Sequence, residues 1–187
     1  IPKTIPVFFE NPDSYHPTTT SLVGGGRTLH TATAIGANGA DNRTRILVAG
    51  GGNGTLTTPV ATATTEIFDT LTRSFVAGPT MSIDRALHSA TRLSDGRVLI
   101  VGGADSNGVA TATCDIYDPQ TNTFSAATPM GSVRAGHTAT LLSNGKVLVC
   151  GGVTTFSGGQ ANLVNILNSS LNTGEVYDPT LNSWTPV

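Results

Sequence analysis

Three apolar runs in the chain lack the alternation of hydrophobic and polar residues that marks a half-exposed strand. They read RILVAGG at residues 45–51, RVLIVGG at 97–103 and KVLVCGG at 146–152. Uninterrupted runs of this length are typical of strands that are buried on both faces. Each run ends in a diglycine: Gly50 and Gly51, Gly102 and Gly103, Gly151 and Gly152. The pattern predicts central strands of sheets that pack face to face.

A second repeated run precedes each of these strands. It reads HTATAI from residue 30, HSATRL from 88 and HTATLL from 137. The small Ala and Thr side chains favour a crowded innermost strand. An arginine stands three residues before each histidine, which gives the pairs Arg27 and His30, Arg85 and His88, Arg134 and His137.

Two further strands complete each copy. The third run reads EIFD from residue 66, DIYD from 115 and EVYD from 175, and an aromatic follows seven positions after each Phe or Tyr, at Phe75, Phe124 and Trp184. The turns SDGR at 94–97 and SNGK at 143–146 contain the Asp-Gly and Asn-Gly pairs of tight turns with positive φ. Asp-Pro turns begin at Asp118 and Asp178. Each copy therefore predicts four antiparallel strands.

The spacing of the copies indicates the architecture. The opening arginines are 58 and 49 residues apart, and a period near 50 is typical of β-propeller blades. We predict an all-β propeller segment with blades at residues 27–83, 84–132 and 133–187.

The repeat resembles the Kelch motif, in which a diglycine after a hydrophobic strand is followed by Tyr and Trp at set spacings. The resemblance covers residues 27–187 and implies propeller blades, similar to those of bacterial Kelch proteins and of galactose-oxidase-like enzymes. The first copy departs most from the pattern, with Phe68 in place of Tyr and Phe75 in place of Trp. Phe124 also replaces Trp in the second copy.

The N-terminal residues predict part of a further blade. FFENPDSY at 8–15 matches the third and fourth runs in length, so residues 1–26 are interpreted as the outer half of a degenerate blade or as a donor strand. Three blades do not close a ring, since propellers have four to eight. The expected partners are therefore other copies of the chain or the remainder of a larger propeller.

The repeated polar residues have two interpretations each. The histidines are expected to bond backbone within their own blade, and the alternative is convergence on a metal. The arginines are expected to pair with Asp84, Asp69 or Asp118, or with backbone carbonyls. As an alternative, Arg27, Arg85 and Arg134 would line a channel mouth and attract an anion. The aromatics Tyr117, Tyr177 and Trp184 are interpreted as core residues.

Loops that do not repeat are the better candidates for recognition. The longest spans residues 153–172 and contains the apolar stretch LVNIL, which suggests a contact surface; the alternative is a solvated connection. The binding residues predicted there are Phe156, Asn162, Leu163, Asn165 and Leu167. A glycan or a peptide is the expected ligand.

Composition narrows the function classes. Charged residues make up 12% of the chain and the net charge is −2, which argues against a nucleic-acid surface. No apolar run approaches the length of a membrane span. Three N-x-[ST] sequons are candidates for glycosylation, at Asn42, Asn53 and Asn168. Cys114 and Cys150 are expected to be buried free thiols.

No catalytic, metal or cofactor-binding constellation stands out. We therefore predict a non-catalytic binding or assembly module outside the cell or at its surface. One alternative is the propeller portion of a secreted copper oxidase, whose copper would need Tyr and His ligands. Another is a structural subunit that joins head to tail into filaments.

Overall fold

The computed structural model describes residues 21–36, 44–54, 59–155 and 168–187. These residues form an all-β chain of three four-stranded antiparallel sheets and one short hairpin. The expectation of an all-β fold made of four-stranded blades is confirmed.

The three large sheets have the same strand order, and each strand pairs with the next large strand along the chain. The first blade contains β1 (Thr31–Gly36), β2 (Arg45–Ala49), β5 (Thr65–Asp69) and β6 (Ser74–Ala77). The hairpin β3 (Gly52–Gly54) and β4 (Pro59–Ala61) lies between β2 and β5. The second blade contains β7 (Ser89–Arg92), β8 (Val98–Val101), β9 (Cys114–Asp118) and β10 (Thr123–Ala127). The third contains β11 (Thr138–Leu141), β12 (Val147–Cys150), β13 (Gly174–Asp178) and β14 (Ser183–Pro186).

These strands lie inside the ranges predicted for the three blades. Of the predicted half blade at residues 1–26, only residues 21–26 belong to the described part, and they contain no strand there. The interpretation of this segment as an outer half blade or donor strand stays a prediction.

The hydrophobic core lies between the blades rather than within any one of them. Leu47 and Ala49 of the first blade pack in one cluster with Val98 and Ile100 of the second. Leu99 and Val101, on the other face of β8, pack in the next cluster with residues of β12. Both faces of β8 are therefore covered, as its uninterrupted apolar sequence predicts. A fully buried aliphatic side chain contributes roughly 1.5–3 kcal/mol, so face-to-face stacking stabilises the blades.

The turns between the two innermost strands have a positive φ at glycine, as the Asp-Gly and Asn-Gly pairs predict. Leu93 and Arg97 bond across three residues, with Leu93 N to Arg97 O at 2.8 Å, and only Gly96 has a positive φ there (91°). The turn at Gly145 repeats this arrangement, with φ 80°. In each Asp-Gly or Asn-Gly pair, glycine alone takes the left-handed conformation that closes a three-residue loop.

Candidate functional site

Each blade contains an arginine whose two terminal guanidinium nitrogens are bound by groups of its own blade. Arg85 is buried, and its Nη1 donates to the carbonyls of Gly102 and Thr113, both at 3.0 Å. Its Nη2 forms an ion pair with Asp115 at 2.8 Å. Burial lowers the pKa of Arg85, and the negative charge of Asp115 opposes that shift. The arginine thus ties the end of the second strand to the start of the third.

The same arrangement occurs in the other two blades. Arg27 pairs with Glu66 at 2.6 Å, and Arg134 pairs with Glu175 at 2.9 Å. The expectation of backbone carbonyl partners is confirmed. The expected partners Asp84, Asp69 and Asp118 are wrong, because the first acidic residue of each third strand takes the place beside the guanidinium.

The structure also corrects the interpretation of the arginines as anion-binding groups at a channel mouth. Arg85 and Arg134 are 0% exposed, and the side chain of Arg27 is 3% exposed. Their charge is already neutralised by a carboxylate in the same blade. A dissolved anion therefore has no access to these guanidinium groups.

The histidines join neighbouring blades. His88 Nε2 lies 2.9 Å from Thr31 Oγ1 of the first blade, and His137 Nε2 lies 2.8 Å from Ser89 Oγ of the second. Burial, together with the positive charge of Arg85, lowers the pKa of His88 to about 3. Burial likewise lowers the pKa of His137 to about 4, with Arg134 contributing. Both rings are therefore neutral near pH 7.

Each of these two rings also interacts with the backbone of the arginine in its own blade, Arg85 or Arg134, as expected. The hydroxyl partner in the neighbouring blade was not predicted. His30, the first of the series, is exposed. In the residues that the structure describes, no group of three His, Cys, Asp or Glu side chains is placed to hold a metal ion.

Each diglycine follows the second strand of its blade and contacts the next blade. Gly51 N donates to Arg85 O and Gly103 N donates to Arg134 O, both at 2.9 Å. A Cβ on Gly50 would lie 2.5 Å from Arg85 O, and one on Gly102 would lie equally close to Arg134 O. Because both positions also have positive φ, only glycine fits at this contact.

The repeated aromatics fix the turns between the third and fourth strands. The Tyr117 hydroxyl donates to Asn122 Oδ1 at 2.9 Å, and the Tyr177 hydroxyl donates to Asn182 Oδ1 at 2.8 Å. Trp184 Nε1 donates to Thr128 O at 2.8 Å and so connects the third blade to the second. Tyr117 and Tyr177 are buried. Their hydroxyls serve the turns, a role that the repeat pattern alone did not indicate.

The loops between second and third strands meet in one continuous surface, which we call the loop ridge. It contains residues 52–54, 59–61, 104–110 and 153–155. Ser106 Oγ accepts from Ala61 N at 3.0 Å and donates to Asp84 Oδ2 at 2.9 Å. Val109 forms a β-bridge with Thr155. The loop of the second blade is thus hydrogen-bonded to the loop of the first blade and to that of the third.

The loop ridge is held by hydrogen bonds, and it exposes apolar side chains to solvent. The Asp105 carboxylate accepts from Asn107 N and Val109 N, each at 2.9 Å, which holds the tip of the second loop. Val60 is 53% exposed and Val109 is 59% exposed. The predicted binding residues Phe156, Asn162, Leu163, Asn165 and Leu167 lie outside the described residues. Sequence reasoning did not single out Val109, because it belongs to no motif.

A polar depression lies between the second and third blades, at the ends of the strands opposite the loop ridge. It is a groove of about 340 Å³ beside Asp95, Arg97, Lys146 and Asp178. Arg97 pairs with Asp95 at 2.7 Å and Lys146 pairs with Asp178 at 3.0 Å. The charges in the groove are balanced in pairs, so it offers no net field to a charged ligand.

The two cysteines and the three sequon asparagines are the remaining predicted sites. Both cysteines are free, and Cys114 is buried, which raises the pKa of its thiol to about 12. Cys150 is exposed, so the expectation that it is buried is wrong. Asn53 on β3 and Asn168 are exposed, whereas Asn42 lies outside the described residues. Glycosylation at these asparagines stays a prediction.

Comparison with known proteins supports the repeat assignment. The Kelch motif matches residues 85–131 and 134–187, which together make up more than half of the chain. No curated protein matches the sequence significantly. Among the described residues, no helix is long and apolar enough to cross a membrane.

Proposed function

The chain belongs to the Kelch-repeat family, and from that premise we propose that it is a non-catalytic recognition and assembly module that works outside the cell. Kelch motifs build propeller-type modules that bind other proteins. In this chain, recognition is assigned to the loop ridge, and assembly is assigned to the outward faces of the first and third blades. The observation that carries the proposal is the hydrogen-bonded loop ridge with Val60 and Val109 exposed on it.

The chemistry of the loop ridge favours a peptide as its ligand. Exposed valines beside backbone groups of a short hairpin suit an extended chain with alternating apolar side chains. Loops that are held by a rigid scaffold lose little conformational entropy on binding. The ionisable residues repeated in every blade are engaged in blade structure, which supports a role without chemistry.

Placement outside the cell rests on composition. Only 12% of the residues are charged, and Thr, Ser, Gly and Asn provide most of the polar surface. Two exposed asparagines lie in sequons, and such sites are modified only on the secretory route of cells that glycosylate asparagine. Fractionation of the native source tests this part, and recovery in the cytoplasm would contradict it.

The binding role is tested with an immobilised library of extended peptides. We expect the intact chain to select a group of peptides with shared apolar positions, and the double variant V60D/V109D to lose at least ten-fold in affinity for them. The matched control is Leu71→Asp, because Leu71 is 67% exposed but lies in the turn between β5 and β6, at the far end of the strands. Absence of selected peptides, or equal loss with the control, would refute the role of the loop ridge.

A further inference from the structure

The two contacts between blades are built from the same three polar interactions. In each, a diglycine N–H donates to the arginine carbonyl of the next blade. The residue two positions after that arginine donates its N–H to a carbonyl of the preceding blade. Leu87 N donates to Leu29 O at 3.1 Å, and Gly136 N donates to Leu87 O at 2.8 Å. The histidine finally reaches a Thr or Ser hydroxyl. We call the surface of a blade that carries the diglycine and the Thr or Ser hydroxyl its receiving face. We call the segment of the next blade from the arginine to the histidine the inserting edge.

The third blade presents an uncovered receiving face. In the described part of the chain, Gly152 N and Gly136 O, which correspond to bonded groups in the other two blades, have no partner. Thr138 Oγ1 has only Cys150 Sγ, at 3.3 Å. A Cβ on Gly151 would meet nothing within 4 Å, whereas the same atom on Gly102 would meet Arg134 O and His137.

Apolar residues of this face are exposed where their equivalents are buried. Cys150 is exposed, although Ala49 and Val101 at the same position of the other blades are 0% exposed. Leu148 and Val176 are likewise only half-buried, whereas the corresponding Leu99 and Ile116 lie in the core. The face is thus shaped for a blade that the described residues do not supply.

The first blade presents the inserting edge that matches it. Leu29 has φ 58°, the value of the inserted Leu87, so the backbone is already in the conformation that docking requires. His30 is exposed, and Leu29 is 51% exposed. In the described part of the molecule, Arg27 O, Leu29 N and His30 Nε2 lack the partners that their counterparts have.

We propose that the receiving face of the third blade binds the inserting edge of the first blade of a second copy of this chain. The contact would form three bonds: Gly152 N to Arg27 O, Leu29 N to Gly136 O, and His30 Nε2 with Thr138 Oγ1. This inference specifies the assembly part of the proposed function and is independent of the loop ridge.

The arithmetic of blades favours two copies. A head-to-tail contact is heterologous, so it closes only when the accumulated rotation completes a turn. Two copies of the three blades that the structure describes give six, inside the range of four to eight that propellers use. Each of the two contacts in such a ring repeats the geometry already present between blades of one chain.

Sedimentation of the intact 187-residue chain over a range of concentrations provides the test. We expect a species of twice the monomer mass. Cys150→Arg should abolish it by placing a charge on the receiving face, and His30→Glu should abolish it by placing a carboxylate in the cradle of Gly151. Both side chains are exposed in the single chain, so the variants should fold, as circular dichroism would verify. Leu71→Asp is the control that should still associate.

Mixing the two variants identifies the direction of the contact. The His30→Glu chain keeps its receiving face and the Cys150→Arg chain keeps its inserting edge, so the mixture should regain one contact and form pairs that neither variant forms alone. A mixture that stays monomeric would overturn the head-to-tail contact. So would a monomeric wild-type chain at the highest concentration measured.

Thiol labelling of the unaltered chain gives a check that needs no variant. Reaction of Cys150 should slow at least ten-fold as the concentration rises through the association range, while buried Cys114 stays unreactive throughout. A constant rate for Cys150 would overturn the proposal. Peptide binding by the loop ridge should persist in both dissociated variants, so failure of the contact and failure of the binding role are distinguishable.

Discussion

At the scale of single residues, two arginines with similar ion pairs have very different surroundings. Arg85 and Asp115 are buried, with side chains 0% and 1% exposed, whereas Arg97 and Asp95 are 36% and 48% exposed. Removing one member of a buried pair leaves an uncompensated charge in the interior. We therefore expect Arg85→Met to lower the free energy of unfolding by about 3–5 kcal/mol in urea titrations.

Arg97→Met is the matched control for that variant. It also removes an arginine 2.7 Å from an aspartate, but water screens the exposed pair, so the expected loss is about 0–1 kcal/mol. If both variants lost the same stability, the arginine network would have no special role in holding the blade.

The residue scale also shows what the repeat could and could not reveal. Spacing alone identified Arg85 and His88 as structural, because a motif that recurs in every blade serves the blade. The partners were missed, since Asp115 lies 30 residues from Arg85 and the hydroxyl that meets His88 belongs to another blade. One signal was available: an acidic residue at the start of each third strand, inside an otherwise apolar run, is typical of a buried ion pair.

At the scale of elements, the diglycines link the second strand of one blade to the next blade. Gly102→Ala places a Cβ 2.5 Å from Arg134 O, in a backbone with φ 59°. Left-handed strain costs about 1–2 kcal/mol, and overpacking against a neighbouring blade adds about 1–3 kcal/mol. We expect the sum of both as lost stability, measured by chemical unfolding of the dilute chain.

Gly151→Ala separates these two contributions. Gly151 occupies the same place in the third blade, with φ 70°, but no described atom lies within 4 Å of the added Cβ. The dilute variant should therefore lose only the strain term. Equal losses in the two variants would show that blade contact contributes nothing at Gly102.

Strands were the most predictable elements and loops the least. Burial on both faces can be predicted from VLIV, the sequence of β8, because every side chain of such a strand must be apolar. The hairpin of β3 and β4 was less predictable, since its two strands have only three residues each and no alternation of apolar and polar positions. The exposure of Cys150 was also missed, because it depends on the face at which the stacked blades end.

At the scale of the whole molecule, buried histidines make the stacking of blades sensitive to acid. The pKa values of His88 and His137 are lowered from 6.5 to about 3 and about 4, chiefly by burial. In the folded chain these rings stay neutral, whereas in the unfolded chain they take up protons below pH 6.5. The stability that they contribute is therefore complete above pH 6.5 and is lost as the pH falls toward 4 and below.

We expect the free energy of unfolding to decline already between pH 6.5 and 5, where most unfolded carboxylates are still ionised. Urea titrations of the dilute chain at pH 7, 6 and 5 measure this decline. The double variant His88→Gln and His137→Gln is less stable at pH 7 but should have a much flatter profile in the same interval. A profile as steep as that of the unaltered chain would mean that other groups bind the protons. A flat profile of the unaltered chain would mean that the rings between the blades are already accessible to water.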